Sequence, residues 1–230
     1  MEQVPKIGSM KGDVAMPGKA KAPTSAKARS GNGLSALGGE ELGSAAQRDR
    51  RRRIIDATLT LAAKGGYDAV QMRAVAEKAD VALGTLYRYF PSKIHLLVSG
   101  LAREFERAQE KLDRATIPGD TPSERLMVVL GRNTRLMQRD PHLTEAMVRA
   151  FMFADTTAAA EVEQVGRLME NMFAKAMGIE DPTEADRDIF HVIADVWMAN
   201  LVAWVTRRAS AADVANRLEL SVHLLLDKNV

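Results

Sequence analysis

After residue 44, apolar residues recur at three- and four-residue intervals almost without interruption. That spacing lays one apolar stripe along a helix. No segment alternates apolar and polar residues in strict succession, so the pattern predicts helices and no sheet. Ile55, Leu59 and Ala62 form the first stripe, with Ile54, Thr58 and Leu61 beside it. They predict a helix over residues 46–64, ended by Gly65-Gly66 because glycine readily adopts the left-handed cap. Further helices are expected over residues 72–79 and 83–90. Pro91 then breaks the run, and Ser92 is placed to cap a long fourth helix. Later breaks fall around Thr121, at Asp140-Pro141, at Asp155-Thr156, at Gly178 and at Asp181-Pro182. Ser210 and Asp213 stand at capping-box spacing before the last helix. The expected fold is all-α with about nine helices, three small ones followed by a larger bundle.

Residues 1–43 depart from this pattern. They are rich in Gly, Ala, Ser, Pro and Lys, and bury too little surface to offset the entropy of ordering. The chain is therefore expected in three parts: a disordered arm over 1–43, a small helical domain over 44–95 and a larger one over 96–230. Charge divides the same way. Residues 44–95 carry ten basic and five acidic side chains, a net of +5, whereas residues 96–230 carry 16 and 21, a net of −5. A basic module on an acidic body suits a polyanion partner.

Composition removes several classes. The 230 residues are 46% hydrophobic, enough for a real core, and there is no cysteine, so disulfides and thiolate metal sites are excluded. No apolar run approaches the ~20 residues of a membrane helix, and no secretory stretch opens the chain. The expectation is a cytoplasmic protein with no membrane partner. The histidines at 95, 142, 191 and 223 show no H-E-x-x-H spacing. His191 and Asp195 share a helix face, where a surface pair is the commoner outcome, so no metal site is expected. No nucleophile elbow, dinucleotide fingerprint or phosphate loop is present. Neither enzymatic activity nor a cofactor is expected.

The informative stretch is V-Q-M-R-A-V-A-E-K-A-D-V-A-L-G-T-L-Y-R-Y-F-P-S-K, residues 70–93. Val75, Ala76 and Ala79 are small or branched residues for the inner face of one helix, and Leu86 and Phe90 face inward from the next. Small residues at the crossing allow a steep helix-turn-helix angle, which drives the start of the second helix outward into a DNA major groove. Thr85 and Tyr87 are then placed for base edges or thymine methyls, Leu83 for an apolar contact, and Gly84 for close backbone approach. Arg73, Arg88, Tyr89 and Lys93 suit phosphates, as does Gln71 at a helix start. Arg50 and Arg53, in the run Arg50-Arg51-Arg52-Arg53, suit the adjacent backbone or minor groove. Any one of these residues is equally an ordinary core or surface residue. A helical adaptor that never touches DNA would share many of them.

The segment from Arg50 to Leu97 resembles the DNA-binding domain of TetR-type regulators. The resemblance is carried by I-I-D-A-T in the first helix, by Gly65-Gly66-Tyr67, and above all by G-T-L-Y-R-Y-F-P-S-K. Asp80 stands where that family often has glycine, and Asp tolerates the left-handed conformation. The resemblance implies a homodimer on a double-stranded, palindromic operator, associated with the nucleoid. It also implies that the C-terminal bundle binds an effector and dimerises.

Leu143-Thr144-Glu145-Ala146-Met147 and D-V-W-M-A-N-L-V-A-W-V-T-R-R-A-S (195–210) further resemble the branch of that family that represses cholesterol catabolism in actinobacteria. This narrower resemblance implies a steroid-type CoA thioester effector. Another hydrophobic ligand, such as a fatty acyl-CoA or a drug, stays open. Met127, Met147, Phe151, Met169, Phe173, Trp197, Asn200 and Trp204 are the expected effector contacts, and an ordinary helical core would use the same residue types. Two apolar stripes on the last two helices predict a dimer face of Ile189, Ile193, Val196, Val214, Leu218, Val222 and Leu225.

Overall fold

The computed structural model describes the backbone of residues 33–227 and the side chains of residues 45–227. The chain divides into two units, Met1–Glu41 and Leu42–Val230, and the second holds most of the first described helix and every later one. The arm expected over residues 1–43 lies outside the described residues up to residue 32. From Gly33 the backbone is helical, earlier than the expected start at residue 46.

Nine α-helices and one short 3-10 turn make up the described residues. They are α1 (Gly33–Ala69), α2 (Met72–Lys78), α3 (Leu83–Tyr89), α4 (Lys93–Asp113) and α5 (Pro122–Arg139). The 3-10 turn Thr156–Ala158 separates α6 (Pro141–Met152) from α7 (Ala159–Met177), and α8 (Glu184–Val205) and α9 (Ala211–Leu226) close the chain. Regular helical geometry stops at Gly65-Gly66, as expected, and a last short helical piece runs on to Ala69; Gly66 sits at φ 67°, ψ −158°, a region that is essentially glycine-only. Asp80 has φ 53°, so the aspartate takes the left-handed turn position as expected.

The N-terminal helices close on Ile54, Ile55, Ala62, Val70, Val75, Ala76, Leu86 and Phe90, all buried. Each large side chain here stabilises by about 1.5–3 kcal/mol on burial. The helix α4 serves both halves. Gly100 lets α1 approach it so closely that an added Cβ would lie 2.8 Å from Leu59 Cδ2. Arg103 pairs with Asp56 of α1 on the same side. At the start of α4, His95 is buried. Its Nε2 donates to the Thr157 carbonyl (3.0 Å) and its Nδ1 accepts from Ser92 Oγ (2.9 Å), tying α4 to the 3-10 turn.

The bundle packs α4 on α6 and α7, α5 on α7 and α9, and α8 on α9. The predicted helix starts are built by their own side chains. Thr121, Thr183 and Ser210 each complete a capping box, with Glu124, Asp186 and Asp213 reaching back. Backbone N–H groups of Asp120 and Thr121 hold the Glu124 carboxyl below the usual carboxylate range, and the Thr183 and Ser210 hydroxyls, with the backbone N–H groups of the same residues, do so for Asp186 and Asp213. Arg125 does the same for a helix end: its Nε and Nη2 donate to the last carbonyls of α7, Ala176 (3.2 Å) and Met177 (2.9 Å). By length and composition α8 is apolar enough to cross a membrane, contrary to expectation. Here one face of it packs into the bundle, burying Phe190, Ile193, Trp197, Asn200 and Leu201.

Candidate DNA interface and effector cavity

The helix α3 is only seven residues long and stands on one anchor, Leu86, which is fully buried. Phe90 closes the space behind it. Its outer face exposes Gly84, Arg88 and Tyr87, the last 47% exposed, while Leu83, Thr85 and Tyr89 are half-buried. A large aromatic held out in water beside a glycine with open space around it is a surface shaped for contact. Arg88 Nη2 donates to Thr85 Oγ1 (3.3 Å), which leans the guanidinium along the helix.

The basic residues sort into two groups. Arg50 joins Arg88 and Tyr89 around a notch of about 280 Å³, completed by Gln47, which is not among the residues expected from sequence. Gln47 lies three residues before Arg50, so helical spacing was the available signal. Arg73 and Gln71 are exposed on α2 and at its N-cap; Gln71 Nε2 donates to Asp68 O (2.9 Å). Arg53 and Lys93 are engaged within the protein instead. Arg53 Nη1 donates to Ala79 O (2.9 Å) at the end of α2 and its Nε lies 3.4 Å from Asp49. Lys93 Nζ lies 3.8 Å from the Tyr67 ring centroid and donates to Tyr67 O (3.5 Å). Sequence spacing gives no warning of either tether, because the partners come from a different helix or loop.

Between α4, α5 and α6, with Met172 of α7 at one wall, lies a cavity of about 140 Å³. Leu101, Phe105, Leu112, Val129, Leu143 and Met147 make it apolar, and Asn133 and Thr144 add polar groups. Asn133 is buried and its Nδ2 donates to Met172 Sδ (3.1 Å). At the rim, Arg107 is paired with Glu104 (2.7 Å), whereas Lys111 and Arg132 have no acidic partner among the described residues.

Of the eight expected effector residues, Met147 alone lines this cavity. Trp197 and Phe173 sit one layer deeper. The Trp197 ring meets Phe105 edge-on at 6.0 Å, and Phe173 meets Phe190 edge-on at 6.0 Å. Phe105 thus stands between Trp197 and the cavity. Asn200 is buried and donates to its own helix at Val196 O (2.8 Å), Met169 is buried in α7, and Met127, Phe151 and Trp204 are half-buried away from the cavity wall. Residue type alone cannot separate a wall from the layer behind it. The cavity-facing side of α4 and α5 is likewise absent from the sequence expectation.

The residues of the expected dimer stripe divide by burial. Ile193, Val214, Leu218 and Val222 are buried within the single chain, and Ile189, Val196 and Leu225 are half-buried. Their partners are the chain's own packed helices, since α9 lies between α5 and α8. The faces left open are Val192 (46% exposed) on α8 and Leu220 and Leu224 (60% each) on α9.

A three-helix head with a buried apolar core and an exposed aromatic reading helix, set on a helical bundle that holds an apolar cavity, defines a class. Residues 54–99 match the bacterial regulatory proteins of the tetR family, and residues 119–225 match the tetracyclin repressor-like C-terminal domain. The chain belongs to the TetR family and is a DNA-binding transcriptional repressor of that family.

Two relatives make the likeness narrower. The chain is 63% identical over 204 residues to the HTH-type transcriptional repressor KstR of Rhodococcus jostii (strain RHA1), covering 88% of this chain and 95% of that one. It is 60% identical over 193 residues to the KstR of Mycobacterium tuberculosis (strain ATCC 25618 / H37Rv), covering 84% and 88%. Among solved structures, a TetR transcriptional regulator from Rhodococcus sp. RHA1 superposes with a TM-score of 0.75 at 32% identity, over 80% of this chain and 99% of that one.

Proposed function

We propose that the chain represses genes of steroid catabolism, and of lipid metabolism more widely. In this reading it binds a palindromic operator as a homodimer in the cytoplasm, at the nucleoid, and is released by a steroid-type CoA thioester. The observation that carries the reading is the 63% identity to a KstR repressor across 88% of the chain, which extends through the helices that wall the cavity. Arg50, Arg73, Arg88 and Tyr89 serve as phosphate contacts, with Gln71 at a helix start. Leu83, Gly84, Thr85 and Tyr87 face the bases. Arg53 and Lys93 steady the head while adding positive charge to it.

The cavity supports an amphipathic ligand. Its apolar wall suits a hydrocarbon body, and Lys111 and Arg132 at the rim suit the phosphates of a CoA carrier. At about 140 Å³ it is smaller than the roughly 300–1,000 Å³ of typical ligand pockets, so a steroid nucleus enters only by moving its walls. Wall movement on entry is what release from DNA requires. The same narrowness favours a second reading, a linear fatty acyl-CoA, which has a slimmer cross-section.

The homodimer is formed by Val192, Leu220 and Leu224, with half-buried Val196 beside them. The test of the effector is titration of the protein–operator complex with a cholesterol-derived CoA thioester, palmitoyl-CoA and free CoA. The steroid thioester is expected to weaken operator affinity by a factor in the range of about 5–150, as allosteric couplings generally do. Unchanged affinity with the steroid thioester, together with release by palmitoyl-CoA, overturns the steroid reading in favour of the fatty acyl one.

A further inference from the structure

The end of α1 is tied to the bundle by a cluster centred on Tyr67. Glu145 Oε2 of α6 accepts the Tyr67 backbone N–H at 3.0 Å. Two cations lie over the Tyr67 ring, Arg149 of α6 with its guanidinium carbon 4.3 Å from the centroid and Lys93 of α4 at 3.8 Å. Arg149 Nη1 is also 3.6 Å from Glu145 and 3.7 Å from Asp68, so the cation is held in place by two carboxylates. The neighbouring Gly66 leaves room for this arrangement. A Cβ there would lie 2.8 Å from Glu145 Oε2.

Glu145 and Arg149 are one helical turn apart and form one face of α6. Met147, which walls the cavity, is two residues from each of them, and Leu143, on the same wall, is two residues before Glu145; each such step is about 200° around the helix. One helix therefore meets the cavity on one side and the base of the reading head on the other.

We propose that Glu145, Arg149 and Tyr67 are positioning residues for operator binding, a clamp through which α6 sets the angle of each reading head. None of the three touches DNA. Their effect is on whether two heads of a dimer match two grooves at once, not on how well one head binds. Each cation over the ring contributes modestly alone, but the cluster joins elements that no other described side-chain ion pair connects across α1 and α6. Any movement of α6 that accompanies filling of the cavity is delivered to the head at this point. The clamp itself rests on the DNA-binding head and the dimer, and holds whichever effector fills the cavity.

The experiment needs no effector. The full chain lacks cysteine, so Glu77→Cys, on the exposed side of α2, gives one spin-label site per head. Pulsed electron resonance then reads the head-to-head distance in the dimer. The operator recovered by footprinting the wild-type protein, and the same DNA cut to one half-site, are used for affinity. Glu145→Ala with Arg149→Met is expected to broaden the distance distribution and to weaken full-operator binding roughly tenfold, within the usual range of couplings. Half-site affinity and the salt slope of binding should not change. Tyr67→Leu, which keeps the backbone hydrogen bond but removes the ring, should show a smaller change of the same kind, and Tyr67→Phe and Glu145→Gln should behave as wild type.

An unchanged distance distribution in the folded double variant overturns the proposal. So does a loss of half-site affinity with a shallower salt slope, because that makes Arg149 a phosphate contact. A wild-type protein that proves monomeric, or whose site has one half only, refutes the dimeric-operator reading before any variant is made.

Discussion

Replacing Trp197 with Phe separates a cavity wall from the core behind it. Trp197 is 1% exposed, and its indole Nε1 donates to Thr134 Oγ1 at 2.9 Å. Phe105 meets its ring edge-on at 6.0 Å, and Phe173 lies 6.5 Å away at 48°. Loss of the buried hydrogen bond removes about 1 kcal/mol. Truncating indole to phenyl leaves a void, and partial collapse around it adds about 1–2 kcal/mol. The expected total is ~2–3 kcal/mol of unfolding free energy.

The assay is urea unfolding followed by circular dichroism. Protein concentration is held fixed, because the stability of a dimer depends on it. Fluorescence is less suitable, since the substitution leaves Trp204 as the remaining tryptophan of two. Thr134→Val and the double variant complete a cycle in which the pair should show a coupling of about 1 kcal/mol. Effector affinity should change little, because Phe105 stands between Trp197 and the cavity. A variant of nearly wild-type stability that binds effector much more weakly would refute this layering and make Trp197 a ligand contact.

The other predictions address the surface. Arg50→Ala should weaken binding to all DNA sequences about equally and lower the salt slope by about 1, whereas Tyr87→Ala should erode discrimination between operator and unrelated DNA; anisotropy titrations at several salt concentrations read both. Leu220→Glu with Leu224→Glu places charges on the open face of α9 and should convert the dimer to monomers in analytical ultracentrifugation, while Val214→Glu should unfold the chain because Val214 is buried within it. The capping carboxyls Glu124, Asp186 and Asp213 have lowered pKa values, so their stabilisation is present above the ordinary carboxylate range and is lost as pH falls through the lowered values. Asp213→Asn should therefore flatten the acid limb of the stability profile. His223 behaves oppositely. Its contact with Asp227 raises its pKa above 6.5, so that contribution is complete below 6.5 and fades as pH rises through the raised value. His223→Gln should remove that decline.

The fold was largely legible because helix boundaries were written in local chemistry. Ser92 and Ser210 each accept a backbone hydrogen bond at the helix start they were expected to cap, and Thr121 and Thr183 do the same beside two of the expected breaks. The inward anchors of the head were legible for the same reason, since Leu86 and Phe90 share a periodicity with their neighbours. Tertiary choices were not. An apolar stripe on α9 says that something covers it, not whether the cover is α5 of the same chain or a second copy. Val214, Leu218 and Val222 went to the first and Leu220 and Leu224 stay open. The effector set shows the same limit. Methionine and aromatic residues mark apolar interior, whereas the cavity is where packing stops, and that depends on several helices at once. The tethers of Arg53 and Lys93 were hidden because each joins residues 26 apart in sequence.

A basic head that reads through Leu83–Tyr89 should bind a specific operator under control of the bundle. The most direct measurement is the affinity of the intact protein for its footprinted operator and for a scrambled duplex across a range of salt concentrations. Steep salt dependence is expected on both duplexes, with the operator bound at least about a thousandfold more tightly. Equal affinity for both duplexes, or affinity indifferent to salt, would contradict a sequence-reading head.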